Sequence, residues 1–433
     1  MTLTAQPATR VPRGASPAQG PAGQDAWDDV PSVREVLAGR PPFMAVLGAL
    51  TLVGCGVLLP RLGPNGALVD PLLALGVVVG AFMLKSFPIT PAAAGGRAIL
   101  VPICVIALGT TLSLYSAGLQ SWALLSMVQS AYAFATFIGM YALFWQWREH
   151  LPLFSLGAAA GIVVVTASLV LTYSPGVRPA GVLYHPNYAG HYLVAMALCV
   201  FASMPWRRLK VAVLGVALIG VFLTASFGAL VMIGVATSFV LLRYLRTRPG
   251  VVAFGLAGLV VVGAVGYAFI RTSLETGQTV GASSTLNSAR LQRSGSGRFY
   301  IWQQALTAAW HHPLGVGPDG LHNRGIITRF REAHNLYVAF VAERGLIGLL
   351  GLLLVGVLLW RHAPAGGIAR ASILAFAAAN MVRETFHYRH MWLTLALVLV
   401  ADHAHRLEEV GEHRDRISER LKDRLFPARR PGG

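Results

Sequence analysis

Of 433 residues, 55% are hydrophobic and only 12% are charged, against about a quarter in a soluble domain, which excludes an ordinary water-soluble fold. The formal net charge of +17 resides largely in Lys and Arg beside apolar stretches, where topology accounts for it, so nucleic acid is not an expected partner. Cys55, Cys104 and Cys199 are odd in number and lie inside apolar stretches, so they read as buried residues and not as a disulfide or metal framework.

In chain order, residues 1–40 are rich in Pro, Gly, Ala and Gln and lack the apolar core of a cleavable signal peptide, so a disordered cytoplasmic tail is expected. Apolar runs long enough to cross roughly 30 Å of hydrocarbon then recur along the chain. Nine fall within residues 41–270, at about 43–60, 67–84, 98–115, 121–145, 151–172, 188–204, 210–225, 227–242 and 251–270. Three more fall within 334–406, at about 336–360, 368–382 and 390–406. The seventh and eighth must turn sharply at Ser226, Phe227 and Gly228, and one long bent element is the alternative there. Residues 407–433 form a charged tail whose first half has helical spacing. The expected fold is therefore an all-α polytopic membrane protein with about twelve transmembrane helices and a large loop between spans nine and ten.

Lys and Arg fix the expected orientation, because positive short loops stay cytoplasmic. With the N-terminus inside, eleven of them fall in inner loops, including Arg148, Arg207, Arg208, Lys210, Arg243, Arg361 and Arg370. Four fall in outer loops: Arg61, Arg178, Arg383 and Arg389. Trp145, Trp147, Trp206 and Trp360 lie beside the inner positives as an interfacial belt should. Both termini are expected in the cytoplasm.

Residues 271–333 then form a 63-residue extracytoplasmic loop, far longer than an ordinary connection. Its first part is rich in Ser, Thr and Gly, and a short helix is expected from about Arg298. Seven Arg (Arg271, Arg290, Arg293, Arg298, Arg324, Arg329, Arg331) stand against Glu275, Asp319 and Glu332, a net of +4, so an anionic ligand is expected. With Ser296 as N-cap, Arg298 would sit in the first helical turn, where the macrodipole opposes a cation unless an anion is shared. Arg also suits bidentate phosphate binding; the alternative is a solvated loop charge.

His334 opens the tenth span at the level of the outer headgroups, where it can act as a general base or rest as an interfacial histidine on a backbone carbonyl. Glu343 and Arg344 lie within that span beside Gly345; they read either as functional charges or as partners at a helix break. Gly315-Val-Gly-Pro-Asp-Gly320 matches a dinucleotide fingerprint only literally, with no preceding strand and with Pro318 inside it. His311-His312 and His185 with His191 lack zinc-ligand spacing, so no metal and no cofactor are expected.

Four stretches in order, Arg298-Phe-Tyr-Ile-Trp302, His312-Pro-Leu-Gly-Val-Gly-Pro318, Ala333-His-Asn-Leu-Tyr337 and Ala342-Glu-Arg-Gly-Leu-Ile-Gly348, resemble the O-antigen ligase and polymerase family of bacterial surface-polysaccharide enzymes. The expected topology agrees with that family. The resemblance implies a multi-pass protein of the bacterial inner membrane, within the cell envelope, that transfers a glycan from an undecaprenyl-diphosphate donor to a sugar-bearing acceptor on the outer face. The acceptor would be a lipid core, as in lipopolysaccharide biosynthesis, a protein or a growing glycan, with membrane lipids as the remaining partners. By position, His334 would be the base and Arg298 a diphosphate ligand, with Asn335 and Glu343 in support.

One departure stands out. The family usually has Ser-Arg-Gly before the eighth span, and this chain has Ser226-Phe227-Gly228. Arg383 or Arg389 from the same face, or Arg293, Arg329 or Arg331 from the loop, would have to substitute, unless the donor differs or activity is weakened. The expected function is a metal-independent, inverting glycosyltransferase of ligase type. The alternatives are a repeat-unit polymerase of the same family and, further off, a lipid-linked glycan transporter or an inactive glycan-binding relative.

Overall fold

The computed structural model describes residues 31–55, 69–83, 100–174, 177–183, 185–244, 288–327 and 332–425. Among these residues there is no β-strand; the secondary structure is helical apart from one isolated bridge between Ser174 and Val177. The chain is an all-α membrane protein. Four helices are long and apolar enough to cross a bilayer: Leu100–Ala117 (α4), Ser121–Gln146 (α5), the pair Arg148–His150 and Leu151–Leu171 (α6), and Leu336–His362 (α12). Shorter or more polar helices are Phe43–Gly54 (α2), Val69–Met83 (α3), Pro186–Ser203 (α7), Arg207–Thr224 (α8), Phe227–Tyr244 (α9), Ile368–Asn380 (α13) and Arg389–Leu425 (α14). A helix thus coincides with each expected apolar stretch except 251–270, which lies outside the described residues.

Two local expectations are corrected, and one alternative is set aside. Residues 31–40 are not featureless: Val33–Ala38 (α1) is a helical turn closed by a capping box, in which Ser32 and Glu35 exchange side-chain-to-backbone hydrogen bonds. Helices α8 and α9 are two elements and not one bent one, because Ala225 adopts a left-handed backbone (φ 45°) between them. The loop helix runs Ser288–His311 (α10), so Arg298 lies in its third turn. Ser296 is therefore no N-cap, and the macrodipole gives no reason for an anion at Arg298.

Packing follows the rule that apolar helices in lipid associate through close contact and small residues. At the α3–α5 contact a Cβ on Gly139 would lie 2.6 Å from the Val77 Cα, so the two backbones approach as only glycine permits. The aromatic core lies between α5, α12 and α14, where Phe134, Phe137, Phe340, Phe386 and Trp392 meet mostly edge to face.

Helix α12 is broken at Gly345 (φ 68°, ψ −177°). The break frees carbonyls of an apolar helix, and the loop supplies their donors: the amides of Val316 and Gly317 bond the carbonyls of Ala342 and Glu343 at 2.9 and 3.0 Å. Ser116 of α4 donates to the Gly315 carbonyl at 2.8 Å. The Gly-rich run 315–320 is thus a plug that satisfies a broken helix, and this is also the surrounding of Glu343, whose carboxylate lies against the amides of Asp319 and Leu321. Arg344 donates to Thr110 and Ser130 at 3.2 and 2.7 Å and lies over the Phe340 ring. Of the two readings of this pair, the structure supports a helix break with local partners.

Candidate active site

Loop helix α10 is amphipathic: Ile301, Ala305 and Ala308 are buried against Val316, Leu321, Ala339 and Ala342. That contact lays the helix along the N-terminal part of α12. Arg298 and Trp302, one turn apart, face the segment entering α12, because the Trp302 indole N–H donates to the Ala333 carbonyl at 2.9 Å. The amide of Ala333 donates to Glu384 Oε1 at 2.7 Å. Both backbone polar groups of Ala333 are therefore held, the carbonyl by the loop helix and the amide by the turn between α13 and α14.

His334 follows with a left-handed backbone (φ 55°), unusual for a residue with a Cβ. Asn335 then caps α12, its Oδ1 accepting from the amides of Tyr337 and Val338 at 3.0 and 3.2 Å. Asn335 thus supports His334 by fixing where the helix begins. The result is an imidazole turned back over the helix end, with 16% of its side chain exposed.

Glu332 links this imidazole to a cation. Its Oε2 lies 3.9 Å from His334 Nδ1, in ion-pair range, and 3.4 Å from Arg383 Nη2. Arg383 Nε donates to the Tyr388 hydroxyl at 2.9 Å. The Tyr388 ring in turn packs on Tyr188 of α7, centroids 4.6 Å apart. Three residues before Tyr188, His185 caps α7, its Nδ1 accepting from the Asn187 amide at 3.1 Å. Arg178 donates to Asn187 Oδ1 at 2.7 Å and to the Thr224 carbonyl at 2.9 Å.

The electrostatics reflect this convergence. His334 is held down at about 4 by burial first, then by the charges of Arg383 and Arg298 and by His185. His185 is likewise held at about 4, by burial and then by Arg383 and Arg178. Arg298 is lowered by burial and by Arg383. Burial raises Glu384 well above the ordinary carboxylate range, with Glu343 and Glu332 adding to the effect. At neutral pH the site is a neutral imidazole within a cluster of guanidinium groups, a combination able to accept a proton while holding an anion.

Of the residues singled out by sequence, the structure brings together His334, Arg298 and Arg383. Arg389 is held in a two-point ion pair with Asp70, whose Oδ2 is 2.9 Å from Nη2, and also bonds the Tyr188 side chain behind the Tyr188–Tyr388 contact. Arg293 falls on α10 without a described side chain, and Arg329 and Arg331 lie outside the described residues. Sequence reasoning gave no site role to Glu332, Glu384, His185 or Arg178. Arg178 had been counted only as an outer-loop positive, yet its guanidinium reaches the carbonyl of Thr224 in the turn that leads to Phe227. Among the described residues no three His, Cys, Asp or Glu side chains come together in a group that could hold a metal ion.

No curated protein matches the chain at a significant level. Residues 211–353, about a third of the sequence, match the family model described as O-antigen ligase. That stretch includes most of α8, all of α9, the loop with Arg298, and His334 at the head of α12, so the likeness to O-antigen ligases covers the candidate site.

Proposed function

We propose that this protein is an inverting glycosyltransferase of the bacterial inner membrane that moves a glycan from an undecaprenyl-diphosphate carrier to a hydroxyl of an acceptor on the outer face. The observation that carries the reading is the convergence of a neutral His334 with Arg298 and Arg383, from three separate parts of the chain. The acceptor oxygen attacks the anomeric carbon, the bond from that carbon to the phosphate oxygen breaks, and the acceptor proton passes to His334. The electron pair leaves with the lipid diphosphate. Arg383 and Arg298 meet the charge that develops on it, a role a divalent cation would otherwise fill. Arg383 takes the part left open at Phe227, and Glu332 stabilises the imidazolium as it forms.

Ligase and polymerase differ in the acceptor alone. Cells lacking the protein separate them: retained long lipid-linked polymer without surface attachment marks a ligase, and single repeat units mark a polymerase. Complementation with wild type is expected to restore the glycan ladder, and an equally expressed His334→Ala variant is expected to leave it absent. A normal ladder from that variant would refute the proposed base.

A further inference from the structure

An apolar cavity of about 410 Å³ runs between α12, α13 and the first turns of α14. Leu336, Tyr337, Asn380 and Phe386 line its outer end, and Trp360 and Arg361 its inner end. On α12 the lining comprises Leu336 and Tyr337 before the break at Gly345 and residues between Leu352 and Arg361 after it, and on α13 it lies between Ile373 and Asn380. Most of its lining is aliphatic and aromatic. Water has no partners there, and hydrocarbon does.

The outer end lies directly under the candidate active site. Tyr337 is three residues past His334, and Phe386 three past Arg383. A diphosphate held by Arg383 and Arg298 must send its lipid tail into the bilayer from that point, and this cavity is where the protein opens beneath it. On the α12 wall a Cβ placed on Gly356 would meet no atom within 4 Å, so there is room beside it for the side methyls of a branched chain.

We infer that this groove between α12 and α13 binds the polyisoprenyl tail of the donor and thereby selects a long-chain carrier. The inference rests on the proposed transferase reading, but it concerns tail binding, which is measurable without turnover.

The test uses the full-length protein in vesicles with a photoreactive polyisoprenyl diphosphate, and compares Gly356→Leu with Gly234→Leu. Gly234 lies on α9, where an added Cβ also meets open space, away from the groove lining. In wild type the label is expected on the α12 segment 352–361, displaced by unlabelled polyisoprenyl diphosphate and not by excess phospholipid. Gly356→Leu is expected to lose that label and to raise KM for a long-chain donor about tenfold or more. With a two-isoprene donor it should act like wild type, and Gly234→Leu should change neither readout.

Three results would overturn the inference: label absent from α12, label displaced equally by phospholipid, or ready crosslinking of Gly356→Cys to cysteines placed in 251–270. The last would mean that the chain fills its own groove. His334-dependent transfer with no groove labelling would sink the tail site alone. Groove labelling without transfer from any donor would sink the transferase reading and leave the tail site standing.

Discussion

His334 is held by its neighbours on both sides: Ala333 is pinned by Trp302 and Glu384, and Asn335 caps the helix that follows. A base must be neutral to act, so activity falls as pH drops through its pKa. In the free protein that value is about 4, set by burial and then by Arg383, Arg298 and His185. The acid limb of kcat/KM is therefore expected only as pH approaches about 4. A bound diphosphate neutralises the guanidinium groups that depress His334, so the acid limb of kcat should lie at higher pH. Profiles of both constants check this, and a kcat limb at or below that of kcat/KM would contradict it. Tyr388→Phe removes the oxygen that receives Arg383 Nε while keeping the ring. The expected outcome in steady-state kinetics is a donor KM raised about tenfold with kcat little changed, from loss of a hydrogen bond to a charged group.

The prominence of His334 and Arg298 was legible in sequence, but one reason given for Arg298 was wrong. Ser296 resembles an N-cap, and nothing local reveals that the helix begins at Ser288. Glu384 and Arg178 were not legible, because their partners are distant along the chain: Arg178 meets Thr224, 46 residues away, and Glu384 meets Ala333, 51 away, while Glu332 and His185 come to matter only through Arg383, distant from both.

At the scale of elements, length and hydropathy located the helices well, since an apolar run in lipid has to satisfy its backbone internally. The break at Gly345 was half legible, as two charges beside a glycine. Its structural reason lies in the 313–321 segment, which periodicity could not place inside the membrane. Gly345 sits at φ 68°, and a Cβ there would lie 2.6 Å from the Pro313 carbonyl oxygen. Gly345→Ala is expected to destabilise the protein by about 1–3 kcal/mol from backbone strain alone, because this φ/ψ region is essentially open to glycine only. A detergent unfolding midpoint unchanged from wild type would show that the break tolerates a side chain.

For the whole molecule, charge bias sets the expected sidedness: the active site outside, both termini inside. Only three native cysteines need replacement for a labelling test. His311→Cys, at the exposed end of the loop helix, is expected to react with an impermeant maleimide in intact spheroplasts. Glu409→Cys, exposed on the far extension of α14, is expected to react only after permeabilisation. The reverse pattern would turn the molecule over and place His334 on the cytoplasmic face.

The central claim is a division of labour between a neutral base and an anion-holding pair. Its most direct test is single-turnover glycan transfer by purified protein in vesicles, with bound lipid-diphosphate donor quantified in the same samples. His334→Ala is expected to bind donor as wild type does and to transfer about 10²–10⁴-fold more slowly, whereas Arg383→Ala is expected to lose donor binding. Transfer by His334→Ala at the wild-type rate would contradict the account.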